Sequence, residues 1–143
     1  MSGEVEPGFV DTNILVYAFE KGDSPKKLIA QRLLNELMDE DRLRVSTQVL
    51  QELFVTLTRK VKRSCSSAEA LSALENLAAW PVVGIDFEAI RTAVELADKS
   101  QLSFWDALVV VAAVRSGAGV LYSEDMNDGQ EILGVRICNP FHS

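Results

Sequence analysis

Short apolar runs set between helix-length segments constrain this chain more than any other feature. Gly8-Phe9-Val10, Leu43-Arg44-Val45, Val82-Val83, Val120-Leu121-Tyr122 and Val135-Arg136-Ile137 are too brief for helices and read as buried strands. The segments between them carry helix signals. Ile14 to Phe19 reads as a short helix. Ser24-Pro25 is a cap followed by proline at the first helical position, and the helix from Lys26 to Glu40 has Leu28, Ile29, Leu33 and Leu37 on one side. Ser46 or Thr47 opens a helix on which Leu50, Leu53, Phe54, Leu57 and Val61 recur at helical spacing. Ser66 or Ser67 opens another, with Leu71, Leu74 and Leu77, that stops before Pro81. Asp86 starts a helix through Leu96, and Ser103 starts an apolar one through Val114 that Gly117 closes. Strand alternating with helix implies a parallel sheet covered on both faces. The expected fold is a single three-layer α/β/α domain over residues 1–143, since no repeat, low-complexity tract or linker divides the chain.

Composition narrows the function classes. The 143 residues are 48% hydrophobic and 24% charged, enough for one substantial core. No apolar run reaches the roughly 18–20 residues that span a bilayer. The start carries Glu4 and Glu6 where a secretory signal would be basic, so no membrane partner is expected. Cys65 and Cys138 match no metal or redox spacing, which makes a reduced cytoplasmic setting the expectation. The net charge of −7 is the wrong sign for a protein that coats nucleic acid. His142 is the single histidine and stands next to the last residue, so histidine-based catalysis is not expected. Carboxylates, hydroxyls, lysines or a bound metal must carry any chemistry.

Four carboxylates hold informative positions. Asp11 directly follows the first strand, and Asp125 follows Val120-Leu121-Tyr122-Ser123 in the same manner. In open α/β sheets ligands gather beyond the carboxyl ends of the strands. Asp106 lies in "SFWDALVVVAA", among apolar neighbours that suggest a helix buried nearly all round, and Glu52 lies in "STQVLQELF". Each has a plainer reading. Asp11 suits a helix N-cap, and Asp106 completes a Ser-x-x-Asp capping pattern after Ser103. Glu52 falls opposite the Leu50, Leu53, Phe54, Leu57 stripe and so reads as solvated, while Asp125 belongs to a polar turn, Glu124 to Asp128. Periodicity does not bring the four together.

Taken in order, the motifs do. "FVDTNILVYAF", "STQVLQELFVTLTRK", "SFWDALVVVAA" and "LYSEDMNDGQ", followed by "ILGVRICNPF", make the chain resemble the PIN-domain nucleases, and among them the VapC-type toxins of bacterial toxin–antitoxin pairs. The resemblance runs from Phe9 to Phe141. It implies a catalytic, metal-binding set of Asp11, Glu52, Asp106 and Asp125, with Asp128 in at most an outer role. Thr12, Asn13 and Ser123 stand beside the acids, where they either orient carboxylates or cap helices; for Asn13 capping is the fuller expectation.

Four converging carboxylates repel one another and call for a counter-charge, and oxygen-only donors favour Mg2+ or Mn2+ over zinc. Asp11 and Asp106 are expected as main ligands, with Glu52 and Asp125 completing the shell through water or at a second ion. The resemblance implies endonucleolytic hydrolysis of an RNA substrate, a homodimer, and a cognate antitoxin inserting near the acids. Arg59-Lys60-Val61-Lys62-Arg63 is the leading basic candidate for RNA, read equally well as cations suiting a helix end, with Lys26 and Lys27 behind it. Two other readings remain. A haloacid-dehalogenase-type phosphotransferase would want a second aspartate where Asn13 stands, and a catalytically silent PIN-like module would have no need of all four acids.

Overall fold

The computed structural model describes residues 6–59 and 65–142. Along the chain run β1 (Gly8–Val10), α1 (Thr12–Phe19), α2 (Pro25–Asp39), β2 (Leu43–Ser46), α3 (Thr47–Arg59), α4 (Ser67–Leu77), β3 (Val82–Val83), α5 (Phe87–Lys99), α6 (Phe104–Arg115), β4 (Val120–Tyr122), β5 (Glu131–Ile132) and β6 (Val135–Cys138). The strands form one sheet in the order β3-β2-β1-β4-β6-β5, flanked by helices in an α/β/α arrangement. Five strands are parallel, as expected from the alternation of elements. β5 is not; it pairs antiparallel with β6 through a turn at Leu133 and Gly134, whose φ angles are 51° and 84°. Two consecutive positive φ values close a tight hairpin. Leucine gives no signal for that geometry, so the strand is not legible in the sequence.

The caps act as the sequence implies. Ser24 accepts from the Lys26 and Lys27 amides ahead of Pro25, and Ser66 forms a reciprocal capping box with Glu69. Asp86 accepts from the Ala89 amide, and Ser103 from that of Asp106. Helix orientation differs more. On α2 the buried residues are Ala30, Leu34 and Leu37, whereas Leu28 is 52% exposed and Ile29 also faces outward. On α4, Ala70, Ala73 and Leu77 are buried while Leu71 is exposed. In both, alanine allows close approach and turns the helix so that larger neighbours point away. The apolar run of α6 is explained by two covers: Ala107, Leu108 and Val111 pack with Ala89 and Ala93 of α5, and Val109, Val110, Ala112 and Ala113 join the main core. Trp105 escapes both and is 61% exposed, so the helix is not buried all round.

The sheet order fixes where a site can lie. The chain moves from β1 to β2 on one side and returns to place β4 on the other, so β1 is the point where strand order reverses. Gly8, Phe9 and Val10 stand opposite Val120, Leu121 and Tyr122, which carries Asp11 and Ser123 out together at the carboxyl edge. The seam is tight: a Cβ on Gly8 would lie 2.7 Å from Tyr122 Cε2 and 3.1 Å from Leu37 Cδ2. Both cysteines are free. Among the described residues no helix is long and apolar enough to cross a membrane.

Candidate active site

Asp11 leaves β1 as the N-cap of α1, its backbone N–H donating to Tyr122 O. Its carboxylate is buried, 7% exposed, with both oxygens engaged: Oδ1 accepts from the Thr12 amide at 2.7 Å and Oδ2 from Ser123 Oγ at 2.9 Å. The capping reading of Asp11 therefore holds, in a carboxylate that is also buried at the carboxyl edge of the sheet. Thr12 then extends the network, donating from Oγ1 to Glu52 Oε1 at 2.8 Å. Glu52 is half-buried rather than solvated, because the second face of α3 lies against α1. Its other oxygen accepts from Gln48 Nε2 at 3.3 Å, one helical turn earlier.

On the β4 side, Ser123 Oγ also accepts from the Asp125 amide at 3.2 Å, and Asn13 Nδ2 donates to Asp125 Oδ2. Asn13 thus orients an acid rather than serving the cap, which Asp11 already fills. Asp106 reaches the site from the first turn of α6 and is partly buried. Asp128 turns elsewhere; it accepts from the Asn139 amide and pairs with His142 Nδ1 at 3.1 Å.

Electrostatics ties the acids together where contacts do not. Burial lifts the pKa of Asp11 from 3.8 to about 6, against the lowering effect of Thr12 and Ser123, and the charges of Asp106 and Asp125 add to the rise. Burial also raises Asp106, helped by the charges of Asp125 and Glu52. Glu52, Asp106, Asp11 and Asp125 thus lie within electrostatic reach, though among the described residues no three acidic, histidine or cysteine side chains already form a metal-holding group. A cation here would take one or two carboxylates directly and meet the others through water, which suits an ion that dehydrates reluctantly.

Sequence reasoning missed Gln48, whose position four residues before Glu52 on a helix was the available signal. It also passed over Tyr17 and Phe141 and chose Asp125 over Glu124, which pairs with Lys26. Of the basic cluster, only Arg59 falls among the described residues; Lys60, Val61, Lys62 and Arg63 lie outside them. A cavity of 760 Å3 bordered by Phe19, Leu34, Met38 and Trp80 shares no residue with the acids. Glu75 is the single carboxylate on its wall, so it gathers no cluster of acids of the kind found at the sheet edge.

Residues 8–127 match the model of the PIN domain. The chain belongs to the PIN domain family. Its structure is similar to that of VapC20 from Mycobacterium tuberculosis, a toxin that cleaves the Sarcin-Ricin loop, with a TM-score of 0.65 and 23% identity over 82% of this chain and 89% of that one. It is also similar to a toxin–antitoxin complex from Klebsiella pneumoniae, with a TM-score of 0.71 and 18% identity over 95% and 99% of the two chains. DNA-bound VapBC from Salmonella typhimurium gives 0.64 and 19% over 93% and 97%. At these identities the likeness establishes a shared PIN fold. No curated protein matches the sequence.

Proposed function

We propose that this PIN domain is a divalent-metal-dependent endoribonuclease, the toxin of a toxin–antitoxin pair, with Asp11, Glu52, Asp106 and Asp125 as its catalytic acids. One observation carries the reading: four carboxylates from α1, α3, α6 and the turn after β4 bear on one another at the carboxyl edge of the sheet, where its strand order reverses. The similar structures supply the class, since they include an RNA-cleaving toxin and toxin–antitoxin complexes. RNA as substrate, a cognate antitoxin as partner and a homodimer as assembly follow from that class.

The donor set fits Mg2+ or Mn2+. All the side chains offered are oxygen donors, and the pKa values of Asp11 and Asp106 are raised first by burial and then by neighbouring acids, both of which a bound cation would offset. Asp11 and Asp106 would hold the ion, with Glu52 and Asp125 assisting. Such an ion supplies positive charge to phosphoryl oxygens and lowers the pKa of a water. The chain's own contribution is orientation. Thr12 ties Asp11 to Glu52, Ser123 ties Asp11 to the Asp125 backbone, and Asn13 fixes the Asp125 carboxylate. A carboxylate oxygen left free by these bonds takes the proton from the attacking water, a role no histidine is placed to fill. The site is local to the cytoplasm in this reading, where RNA and reduced thiols coexist.

The test is incubation of the purified protein with a pool of structured cellular RNAs in Mg2+, Mn2+ or EDTA, followed by mapping of the cut ends. Discrete ends that need the metal support the reading. No cleavage by well-folded protein in either metal favours the silent binding module.

A further inference from the structure

Beside the acids, α2 presents a cation that the site does not use. Lys26, in the first turn of α2, pairs through Nζ with Glu124 Oε2, and Glu124 directly precedes Asp125. Tyr17 OH donates to the other Glu124 oxygen at 2.9 Å, and Lys26 Nζ lies 3.4 Å from the same hydroxyl. The ammonium also stands over two rings, 5.1 Å from the centre of Tyr17 and 5.2 Å from that of Phe141, which meet edge to face. The side chain is thus aimed rather than free. Next to it opens a hollow of 430 Å3 lined by Asn13, Val16, Tyr17, Glu20, Ser24 and Glu124. Asn13 is the residue that holds Asp125, so this hollow and the acid cluster share a wall.

We propose that Lys26 is a substrate-phosphate contact of this site, held in reserve by Glu124 until an RNA strand enters the hollow. The inference rests on the nuclease reading. An anionic strand approaching four carboxylates needs a fixed cation nearby, and the net charge of −7 supplies none by default. The Lys26 side chain remains 42% exposed, so a phosphate can reach its ammonium from solvent, and the Glu124 carboxylate beside it is the group that opposes this contact. Opposite it, Arg59 shares a second hollow, of 410 Å3, with Glu52. Glu52 comes from the β2 side of β1 and Glu124 from the β4 side, so a strand crossing the acids meets a cation beside each.

The experiment measures binding and cleavage of one labelled RNA by the full chain as wild type, Glu124→Gln, Lys26→Ala and the double variant. Glu124→Gln frees the ammonium and is expected to lower Kd and KM. Lys26→Ala is expected to raise both about tenfold, with kcat little changed, and to reduce the log–log salt slope by roughly 0.7. The double variant should still bind about tenfold worse than Glu124→Gln alone. A pure brace between α2 and the acid turn gives a different pattern: Glu124→Gln and Lys26→Ala both lower kcat and melting temperature, with affinity and salt slope unmoved. That pattern overturns the proposal. If wild type cuts nothing, the nuclease reading fails, yet opposite shifts in RNA affinity by the two variants still support the Lys26 contact, and their absence refutes it.

Discussion

Ser123 Oγ donates to Asp11 Oδ2 at 2.9 Å across the seam between β1 and β4. The parallel register that sets Val10 beside Tyr122 puts these two residues level at the sheet edge. One hydroxyl thereby serves a buried carboxylate and, through the Asp125 amide, a second acid.

The burial of Asp11 gives a pH signature. Its folded pKa of about 6 exceeds the ordinary 3.8, so the native state holds the proton to higher pH than the unfolded chain. Below the ordinary value both states are protonated and nothing is lost. Stability falls as pH rises between the two values, and above the folded pKa the full cost, about 3 kcal/mol, persists. Without divalent ions, Asp11→Asn is therefore expected to stabilise the fold by about 1–3 kcal/mol at pH 8 and to have little effect at pH 4. Asparagine keeps an acceptor for the Thr12 amide and can donate to Ser123. Urea unfolding at the two pH values checks this; equal or lower stability of the variant at both would contradict it.

The same excess negative charge should make divalent ions stabilising. At ten times its Kd, Mg2+ or Mn2+ is expected to add about 1.4 kcal/mol to wild type. Melting curves should rise with ion concentration and saturate, while Asp106→Asn responds much less. A parallel response of the two proteins would place the ion elsewhere.

Thr12 offers a test of orientation. Its hydroxyl holds Glu52 while its amide holds Asp11. Thr12→Val preserves volume and the amide but removes the hydroxyl, so cleavage is expected to fall roughly ten- to a hundredfold. Stability should change by no more than about 1 kcal/mol. Thr12→Ser should restore most of the rate, which a packing defect would not permit.

Gly8 tests the seam itself. Alanine there meets Tyr122 and Leu37 at distances that force movement, and an overpacked site of this kind costs about 1–3 kcal/mol. Urea midpoints report it. A neutral Gly8→Ala would mean that the β1–β4 contact is looser than the geometry indicates.

Much of this arrangement is legible in sequence because it rests on local chemistry. Ser24, Ser66, Asp86 and Ser103 announce their helices, and the apolar runs announce five of the six strands. The acids at strand ends were suggestive, yet only the ordered motifs joined them to Glu52 and Asp106. What was hidden depends on tertiary packing. Glu52 reads as solvated from its own helix, since nothing in α3 reveals that α1 covers its second face. Asn13 looks like a capping residue until Asp125 arrives from 112 residues away. The inward alanines of α2 and α4 carry too little hydrophobicity to outweigh Leu28 or Leu71 in a periodicity count. The Leu133-Gly134 turn uses a residue that seldom adopts its backbone.

The most direct test of the central claim is the single-turnover rate of RNA cleavage by wild type and Asp106→Asn at saturating Mg2+, with EDTA as control. The Asp106 amide makes the cap with Ser103, and asparagine keeps an oxygen that can accept from the Ser103 hydroxyl, so the variant should remain folded. Cleavage is expected to fall by at least about a hundredfold in the variant and to vanish in EDTA. Cleavage at the wild-type rate by Asp106→Asn, or in EDTA, would contradict it.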